Sequence, residues 1–572
     1  MLLKEHATEE RLNGRYYTPE NLADYIVKWA NKDIKSGKIL EPSCGDGSFL
    51  NSIERLNLQD KFSITGIELD KNESMIALDR IKNSVFIDSL KQIEEKRSIL
   101  DTIGCKVINE DFYAVYENLI KDEKFNIIVG NPPYIRYQYL TEEQRNEQSI
   151  ILKNNGMKSN KLINAWVSFV VASVQILNEN GKLGLVIPAE LMQVAYAEEL
   201  RKFLMTQFQK MTIVTFRELV FPNVEQEVVI LLGEKDENHK DEHKLRIVQY
   251  DNVNQLINDD NIEDIPFNNV EINDSKWTRY FLNRNYNELI NSIREDSKFE
   301  RFGDIASVDV GITTGNNDYF CVDNQTVEKF DLKEISRPLI ARSVNINGIK
   351  FTREDWQDNI NRDAKTYLID FPDIPYEEYS DMQREYIETG EREQQNTGYK
   401  CRIRQRWYRV PSIWVPDAFL LRRNHLYPKF ILNTDIEAVS TDTMHRIRFN
   451  ENIVHKRVLL AYYNSITLAF TEIEGRSYGG GVLEILPGEF EKVMIPNLQD
   501  SDLVTDNIVD YLIQEIDNNI RNNNDIESIL DLIDQTILIE ILGMDKEVVN
   551  HFRQIWTILK NRRLNRKKIK TI

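Results

Sequence analysis

Few side chains in this sequence are suited to structural metal sites or disulfides. Its 572 residues include 4 cysteines and 7 histidines, and the cysteines at positions 44, 105, 321 and 401 form no Cys-x-x-Cys pair. A disulfide framework and a structural zinc site are therefore excluded as organising features. The sequence also lacks any run of about 18 consecutive apolar residues, so we predict no membrane-spanning helix.

Positive charge is also in deficit, with 92 acidic against 72 basic residues and a formal net charge of −20. A DNA-binding surface therefore has to be a local basic patch. Hydrophobic residues make up 41% of the chain, enough for several cores, and the length predicts more than one domain. The first 20 residues lack the charged-then-apolar pattern of a signal peptide, so we expect a cytoplasmic protein.

Helix and strand patterns alternate over residues 1–250. FNIIVG (Phe125–Gly130) is apolar on both faces, as are strands of a parallel sheet covered on both sides. The polar segment after Tyr134 predicts a long loop, and two later runs joined by FPNVEQE predict a hairpin at the sheet edge. The predicted strands are residues 38–40, 62–70, 105–112, 125–130, 184–188, 211–219 and 228–232. This pattern predicts a doubly wound, Rossmann-like α/β domain that binds ligands at the carboxyl ends of its strands.

The alternation is lost beyond residue 250. Short apolar runs broken by Gly, Pro and Asn predict a mixed α/β domain over residues 251–500, and apolar residues at three-to-four spacing predict a helical segment over 501–572. We therefore predict a catalytic domain (1–250), a target-recognition domain (251–500) and a helical C-terminal segment. The acidic, Tyr-rich stretch from about 350 to 400 has no assigned role.

Three predicted strand ends carry residues suited to a nucleoside. ILEPSCGDGSF (Ile39–Phe49) places Gly45 and Gly47 in a strand-to-helix turn, where a ligand can approach the backbone. The next strand ends in GIELD, whose Glu68 can accept hydrogen bonds from ribose hydroxyls. Asp111 and Phe112 follow the third and suit an adenine amine and its ring face. Each end alone also fits an ordinary turn, but together they predict one pocket.

A fourth strand delivers Asn131-Pro132-Pro133-Tyr134 to the same edge. Prolines cannot donate N–H groups, so backbone carbonyls and the Asn oxygen present acceptors there. Two acceptors that hold the hydrogens of an adenine N6 amine favour a pyramidal nitrogen with its lone pair free. A sulfonium methyl group in line with that nitrogen can then be transferred by direct displacement. An aromatic ring such as Tyr134 suits stacking on an extruded base.

These motifs resemble those of the gamma-class, TaqI-like DNA adenine-N6 methyltransferases, which use S-adenosylmethionine. The matching segments are GRYYTPE (Gly14–Glu20), EPSCGDGSF (Glu41–Phe49), GIELD (Gly66–Asp70), NEDF (Asn109–Phe112) and GNPPY (Gly130–Tyr134). The resemblance is close over about the first 250 residues and looser beyond them, where FGDIASVDVGITTGNNDYF (Phe302–Phe320) and GRSYGGGVLEILP (Gly475–Pro487) are similar to parts of the family's target-recognition domain.

The resemblance implies a role for each matching residue. Thr18, Glu41 and Ser43 would lie by the methionine part of the donor, Glu68 by the ribose, and Asp111 with Phe112 by the adenine. Asn131 and the Pro132 carbonyl would hold the target amine, Tyr134 would stack on the base, and Phe221 of the hairpin would supply a second ring. The implied cofactor-binding residues are Thr18, Glu41, Ser43, Gly45, Gly47, Glu68, Leu69, Asp111 and Phe112, and the implied catalytic residues are Asn131, Pro132, Pro133, Tyr134 and Phe221.

A basic stretch between Lys400 and Lys429 is the candidate DNA-binding segment. Aromatic residues are interleaved with its arginines, and the alternation from Lys400 to Arg406 predicts one face of a strand. The candidate DNA contacts are Arg402, Arg404, Arg406, Arg409, Arg422 and Arg423. A charged strand face with core aromatics is the alternative interpretation. The basic residues between Lys560 and Lys570 fit a phosphate-contacting tail or a merely solvated one.

Other functions share part of this pattern. By resemblance, Asn-Pro-Pro-Tyr also occurs in methyltransferases of protein glutamine and of RNA amines, but the large second half favours DNA. We see no Asp followed by Glu-x-Lys in nuclease context and expect no fused nuclease. A degenerate, non-catalytic fold is disfavoured because each catalytic position is filled.

The sequence therefore predicts a site-specific DNA adenine-N6 methyltransferase that uses S-adenosylmethionine and no metal. The expected partners are double-stranded DNA and a separately acting restriction endonuclease in a restriction-modification system. We expect a monomer in the bacterial or archaeal cytoplasm, associated with the nucleoid. Recognition of a particular DNA sequence would depend on side chains that reach a groove from the second half of the chain.

Overall fold

The computed structural model describes most of the chain, in nine segments: residues 17–88, 100–161, 163–221, 227–239, 242–259, 261–269, 276–478, 481–499 and 501–565. The chain divides into two compact units, residues 1–284 and 285–572. The assignment of separate roles to residues 1–250, 251–500 and 501–572 stays a prediction. No helix within the described segments is long and apolar enough to cross a membrane.

The first unit contains a ten-stranded sheet. Its strands are β1 (Gly37–Glu41), β2 (Phe62–Glu68), β3 (Val85–Ile87), β4 (Gly104–Asn109), β5 (Phe125–Gly130), β6 (Leu177–Pro188), β7 (Lys210–Phe216), β8 (Val228–Glu234), β9 (Lys244–Tyr250) and β10 (Asn268–Asn269). They lie in the order β10-β9-β7-β8-β6-β5-β1-β2-β4-β3. Neighbouring strands in the part β6-β5-β1-β2-β4-β3 of this order are all parallel. The predicted doubly wound α/β fold is confirmed, with its change of direction between β1 and β5.

Helices connect these strands. They are α1 (Glu20–Asn31), α2 (Ser48–Arg55), α3 (Lys71–Asp79), α4 (Phe112–Val115), α5 (Glu142–Asn154), α6 (Ala165–Gln175), α7 (Glu198–Gln207) and α8 (Val253–Ile257). Helix α2 begins after Gly47, whose φ of +85° favours glycine. A Cβ atom there would lie 2.8 Å from Cα of Ala77 in α3, so a larger residue would push the two helices apart.

The structure corrects two predictions for this unit. The hairpin formed by β7 and β8 is not at the sheet edge, because β9 pairs in parallel with β7 and β10 pairs with β9. The polar segment after Tyr134, predicted as a long loop, contains α5. That helix is amphipathic, with Ile151 and Leu152 buried, and it starts with a capping box between Thr141 and Gln144.

The second unit confirms the predicted mixed α/β architecture, with sheets in the orders β12-β21-β17-β19-β15, β13-β16-β14-β20, β18-β23-β22 and β11-β24. Its strands are β11 (Phe299–Arg301), β12 (Ala306–Val310), β13 (Cys321–Val322), β14 (Ser336–Ile340), β15 (Lys350–Phe351), β16 (Tyr367–Ile369), β17 (Ala418–Leu421), β18 (Arg423–Asn424), β19 (Phe430–Asn433), β20 (Val439–Ser440), β21 (Met444–Phe449), β22 (Arg476–Tyr478), β23 (Val482–Glu484) and β24 (Met494–Pro496).

Its helices are α9 (Arg284–Glu295), α10 (Phe302–Ile305), α11 (Asn317–Phe320), α12 (Asn324–Lys329), α13 (Arg353–Asn361), α14 (Asp381–Arg392), α15 (Tyr399–Arg402), α16 (His455–Tyr462), α17 (Ser465–Glu474), α18 (Pro487–Phe490), α19 (Asp506–Arg521), α20 (Ile526–Ile533) and α21 (Lys546–Leu564). The predicted C-terminal helices are confirmed. Arg563 of α21 is buried and pairs with Glu472 of α17 at 2.6 Å, so this part of the basic C-terminus has a structural contact. Residues 566–572 lie outside the described segments.

Candidate active site

A cavity of about 340 Å³ opens where β1, β2, β4 and β5 of the first unit end. Parallel strands bring their carboxyl ends to one edge of the sheet, so residues distant in sequence meet there. Predicted site residues on its wall are Thr18, Glu41, Ser43, Gly45, Glu68, Leu69, Asp111, Phe112, Asn131 and Pro133. The strand ends that the sequence assigned to one pocket therefore share one cavity.

Glu68 at the end of β2 ties the glycine turn to the sheet. Its Oε2 accepts a hydrogen bond from the Gly45 backbone N–H at 2.9 Å, and its Oε1 accepts one from the Asp70 N–H at 2.9 Å. Gly45 has a φ of +50°, and among the described residues an added Cβ would meet only Tyr17 Cε1, at 4.0 Å. The backbone at Gly45 is thus open toward the cavity, and Glu68 holds the glycine turn at its rim.

Glu41 at the end of β1 is almost completely buried, with 1% of its surface exposed. Its Oε2 has no hydrogen-bond partner in the part of the chain that the structure describes. Burial, together with the nearby carboxylates of Asp46 and Glu68, raises the pKa of the Glu41 carboxyl well above its usual value. A buried acceptor of this kind is complementary to a cationic ligand group.

Asp111 follows β4, and both of its carboxylate oxygens are engaged. Oδ1 caps α4 by accepting from the Tyr113 N–H at 2.8 Å, and Oδ2 accepts from Gln144 Nε2 at 2.7 Å. Phe112 stacks on Phe169 of α6, with ring centroids 4.3 Å apart. This end of the cavity thus combines a fixed carboxylate with an aromatic wall, as an adenine ring requires.

Asn131 and Tyr134 contact each other beyond the end of β5. The Tyr134 hydroxyl lies 2.7 Å from Asn131 Oδ1 and 3.0 Å from the Val186 carbonyl oxygen of β6. The tyrosine is buried, with 7% of its surface exposed. The hydroxyl can therefore fix the orientation of the Asn131 carboxamide, which has its oxygen on the tyrosine side.

Four predicted site residues are not on the cavity wall. Gly47, Pro132, Tyr134 and Phe221 are absent from its lining, and Phe221 packs in the hydrophobic core of the first unit. Residues 14–16 of the GRYYTPE motif and the proline after Phe221 lie outside the described segments. The stacking roles of Tyr134 and Phe221 stay predictions.

The wall also includes residues that the sequence interpretation missed. Tyr17 donates a hydrogen bond to Glu73 Oε1 at 2.8 Å. Gln144 contacts Asp111, and Phe169 contacts Phe112. Tyr17 stands beside the predicted Thr18, so the motif itself could have indicated it. Gln144 is recognisable only as the fourth residue of a Thr-x-x-Gln capping box, which α5 was not predicted to have.

The arginines of the second unit do not form the predicted strand face. Tyr399–Arg402 is helical and no strand covers residues 403–409, because the segment turns back on itself. Arg406 and Arg409 both contact Asp373, at 3.3 and 2.7 Å. Arg422 and Arg423 share the buried Glu484, and Arg404 donates to the Thr313 carbonyl oxygen.

The Arg402 guanidinium has no hydrogen bond or ion pair in the described residues, and the side chain is exposed. Arg402 is thus the exception among the six arginines that the sequence proposed for DNA contact. The other five are already held by carboxylates or backbone carbonyls of the same unit.

Known proteins match both halves of the chain. Residues 1–314 match the family described as N-6 DNA Methylase, and residues 274–538 match the one described as Type II methyltransferase M.Eco57I, C-terminal domain. The Type II methyltransferase M.AccI of Acinetobacter calcoaceticus is 24% identical over 552 residues, which cover 92% of this chain and 93% of that protein. The Type II methyltransferase M.HindII of Haemophilus influenzae is 25% identical over 385 residues, which cover 64% of this chain and 66% of that protein.

Among solved structures, the Type IIL restriction-modification enzyme MmeI aligns with a TM-score of 0.50 at 13% identity, over 96% of this chain and 73% of that one. This likeness supports the fold. The resemblance of the motifs to DNA adenine-N6 methyltransferases of restriction-modification type is confirmed by the family match and the related methyltransferases. Because the N-6 DNA Methylase match spans more than half of the 572 residues, the protein belongs to that family and is a DNA adenine-N6 methyltransferase.

Proposed function

We propose that the cavity of the first unit binds S-adenosylmethionine and that its Asn131 end holds the N6 amine of an adenine extruded from a specific double-stranded DNA sequence. The observation that carries this proposal is the composition of the cavity wall. Acceptors suited to a nucleoside come from three strand ends, and Asn131 with Pro133 comes from the fourth.

The chemistry of the wall fits the donor. The unpartnered Oε2 of Glu41 suits a cationic amino group such as that of the methionine part. Glu68 suits the ribose hydroxyls, and Asp111 with Phe112 suits the adenine. Gly45 lets the ligand approach the backbone, since a side chain there would project into the cavity. A volume of about 340 Å³ is within the range of small-molecule sites.

S-adenosylmethionine supplies an electrophilic methyl group, and the protein supplies position. Asn131 Oδ1 and the Pro132 carbonyl would accept the two hydrogens of the target amine, which leaves the nitrogen lone pair free to attack the methyl carbon. The carbon–sulfur bond would break as the carbon–nitrogen bond forms, S-adenosylhomocysteine would leave, and the methylated nitrogen would lose one proton to water. Tyr134 would keep the Asn131 oxygen turned toward the amine and would stack on the base once it is extruded. Positioning and charge complementarity therefore account for the rate, without a covalent enzyme intermediate.

The second unit is the proposed site of DNA recognition. Arg402 presents a free guanidinium, and the arginines held by Asp373 and Glu484 can exchange these carboxylates for phosphate oxygens. Each such exchange replaces one ion pair with another, so these contacts should contribute modestly to affinity and more to orientation.

We further propose that the methylation protects DNA from a separately acting restriction endonuclease. The relatives named above are Type II methyltransferases, which supports this role. A DNA substrate would place the enzyme in the cytoplasm of a bacterium or archaeon, near the nucleoid. One subunit can methylate both strands of a palindromic site in two encounters, so we expect a monomer.

The direct test is expression in a host that lacks adenine methylation, followed by sequencing of its DNA with a method that reports modified bases. We expect N6-methyladenine at one short sequence, and none in the host carrying the empty vector. Unmodified DNA, from cells whose purified protein binds S-adenosylhomocysteine, would contradict DNA as the substrate.

A further inference from the structure

The first turn of α5 contacts the carboxylate proposed to hold the donor adenine. The Gln144 amide is anchored at both ends. Its Oε1 accepts from the Thr141 backbone N–H at 3.0 Å, and its Nε2 donates to Asp111 Oδ2 at 2.7 Å. The other Asp111 oxygen already accepts from the Tyr113 N–H. With a donor on each oxygen, the Asp111 carboxylate is held in one orientation.

The next residue of the same turn holds the segment that follows Asn131–Tyr134. Arg145 Nε donates to the Tyr137 carbonyl oxygen at 3.1 Å, and its Nη2 donates to that of Gln138 at 3.0 Å. The guanidinium also lies over the Tyr137 ring, with Cζ 5.1 Å from the centroid. Two adjacent side chains thus connect the adenine end of the cavity with the loop that leads away from Asn131.

We propose that Gln144 is a positioning residue for donor binding and that the Thr141–Arg145 turn couples donor binding to capture of the target base. This inference rests on the proposed function. A carboxylate that already accepts two hydrogen bonds still has lone pairs for the adenine amine, and its fixed orientation makes that third bond geometrically defined. When the donor engages Asp111, Gln144 and Arg145 tie the loop after Tyr134 to the same rigid helix.

Replacing Gln144 by glutamate separates positioning from helix capping. Glutamate keeps the acceptor for the Thr141 N–H, so the capping box is preserved. It removes the donor to Asp111 and places a second carboxylate beside it. We expect Gln144→Glu to weaken binding of S-adenosylhomocysteine by roughly tenfold or more. The melting temperature of the ligand-free protein should fall only slightly, because both side chains are partly exposed and solvent screens their repulsion. Calorimetric titration and a thermal scan measure the two quantities.

The matched control is Asn146→Ala, on the exposed face of the same helix, where the side chain has no hydrogen bond to any residue that the structure describes. We expect wild-type affinity and melting temperature. Wild-type ligand affinity in Gln144→Glu would overturn the positioning role and leave Gln144 as a helix cap. Failure of the wild-type protein to bind S-adenosylhomocysteine would instead contradict the proposed function.

The test of coupling is the affinity of the protein for an unmodified duplex that contains its target sequence, measured with and without saturating S-adenosylhomocysteine. We expect the ligand to tighten DNA binding at least about fivefold in the wild type, and this ratio to approach one in Arg145→Met, which retains its ligand affinity. Equal ratios in the two proteins would overturn the coupling. The ratio is independent of activity, so loss of methyl transfer alone cannot mimic it.

A separate observation concerns a pair of arginines on β21 in the second unit. Arg446 and Arg448 are two residues apart on a strand and therefore project from the same face. Both guanidiniums lie over the Trp414 ring, with Cζ 4.4 and 4.3 Å from its centroid. Arg446 is buried and donates to the carbonyl oxygens of Val310 and Ser412. It thereby holds the chain next to Trp414 in place.

Arg448 differs from Arg446 in being exposed. Its guanidinium has no hydrogen bond or ion pair within the described segments. The facing positions on β12 are Ser307, paired with Arg448, and Asp309, paired with Arg446. Stacking on Trp414 restricts the plane of the Arg448 guanidinium while its edge stays free. A planar group with five donors in a fixed orientation suits bidentate acceptors.

We infer that Trp414 presents Arg448 to DNA, at a phosphate or at a guanine edge. This second inference also rests on DNA as the substrate. We expect Arg448→Met to weaken binding of the cognate duplex by roughly tenfold. A phosphate contact predicts a uniform loss across sequences and a decrease of about one in the salt slope, whereas a guanine contact predicts relaxed specificity at one position.

Arg362→Met is the matched control, because Arg362 is exposed, has no ion pair in the described residues and does not stack on tryptophan. It removes one positive charge, as Arg448→Met does, and should alter DNA affinity by less than about twofold. Equal effects of the two substitutions would overturn the inference. Binding of S-adenosylhomocysteine should stay normal in both variants. Absence of DNA binding by the wild type would contradict the proposed function instead.

Discussion

The cavity of the first unit and the arginine-rich stretch of the second (residues 400–429) differ in how their charged groups are paired. In the cavity, Glu41 is a lining residue, and its buried Oε2 has no hydrogen-bond partner among the described residues. In the arginine-rich stretch, Arg406 and Arg409 are paired with Asp373. On the proposed function, the small-molecule site is thus assembled before its ligand binds, whereas the DNA surface has to exchange internal partners for phosphates.

The largest effect that tests this comparison is expected for Asn131→Ala. If the cavity is preassembled, loss of one acceptor for the amine should remove transfer and leave the donor site intact. We expect the single-turnover rate of methyl transfer to fall on the order of 10²–10³-fold, as on removal of one group that stabilises a transition state. Binding of S-adenosylhomocysteine should be unchanged. A near-normal rate would contradict the role of Asn131.

The cavity could be predicted because topology brings the residues together. Once Phe125–Gly130 is recognised as a buried parallel strand, the carboxyl ends of its neighbours must lie along the same edge. Glu41 and Glu68 are the last residues of their strands, and Asp111 and Asn131 come within two residues of a strand end. Their convergence therefore requires little knowledge of loop conformation.

The rest depends on contacts that local patterns do not contain. The alternation of Lys400, Arg402 and Arg404 has the period of a strand, but the segment starts with a helical turn. The acid at position 373 that neutralises two of the arginines lies more than 30 residues away, so the charge pattern alone overstates the free charge. Likewise, α5 is too polar for its apolar stripe to stand out, and Gln144 was missed with it.

The next largest effect should come from Glu41→Gln. Burial, Asp46 and Glu68 raise the pKa of the Glu41 carboxyl, so its protonated form persists to higher pH than in an exposed glutamate. A cationic amino group binds the ionised form. Donor binding should therefore release a proton, and affinity should rise with pH by up to about tenfold per unit until the pH passes that raised pKa.

Glutamine cannot ionise, so Glu41→Gln should bind S-adenosylhomocysteine about ten- to a hundredfold more weakly and lose this pH dependence. Calorimetry in buffers of different ionisation enthalpy measures the proton release directly. Persistence of the same pH dependence in the variant would assign it to another group and remove Glu41 from the ligand contact.

A smaller effect is expected for Tyr134→Phe, which keeps the ring and removes the hydroxyl that contacts Asn131. Loss of one hydrogen bond of about 0.5–1.5 kcal/mol should reduce the transfer rate roughly two- to tenfold. Tyr134→Ala should lose a further ~1–3 kcal/mol of base stacking. A fluorescent adenine analogue at the target position reports extrusion. Extrusion of the base should be normal in the phenylalanine variant and reduced in the alanine variant. Equal signals from the two variants would argue against stacking.

The smallest effect, and the one that bears most directly on the second region, is expected for Asp373→Asn. The carboxylate is about two-thirds exposed, so its pairs with Arg406 and Arg409 contribute less than about 1 kcal/mol to stability, and the melting temperature should hardly change. The substitution removes the ion pair of both guanidiniums, although Arg406 keeps its hydrogen bond to the Ile374 carbonyl oxygen. If they face DNA, affinity for a duplex should rise roughly two- to fivefold and depend more steeply on salt.

Asp318→Asn removes the same charge from a residue that pairs with Lys365 and serves as the control. An equal rise in both variants would show a general charge effect, and no rise in Asp373→Asn would place Arg406 and Arg409 away from the DNA.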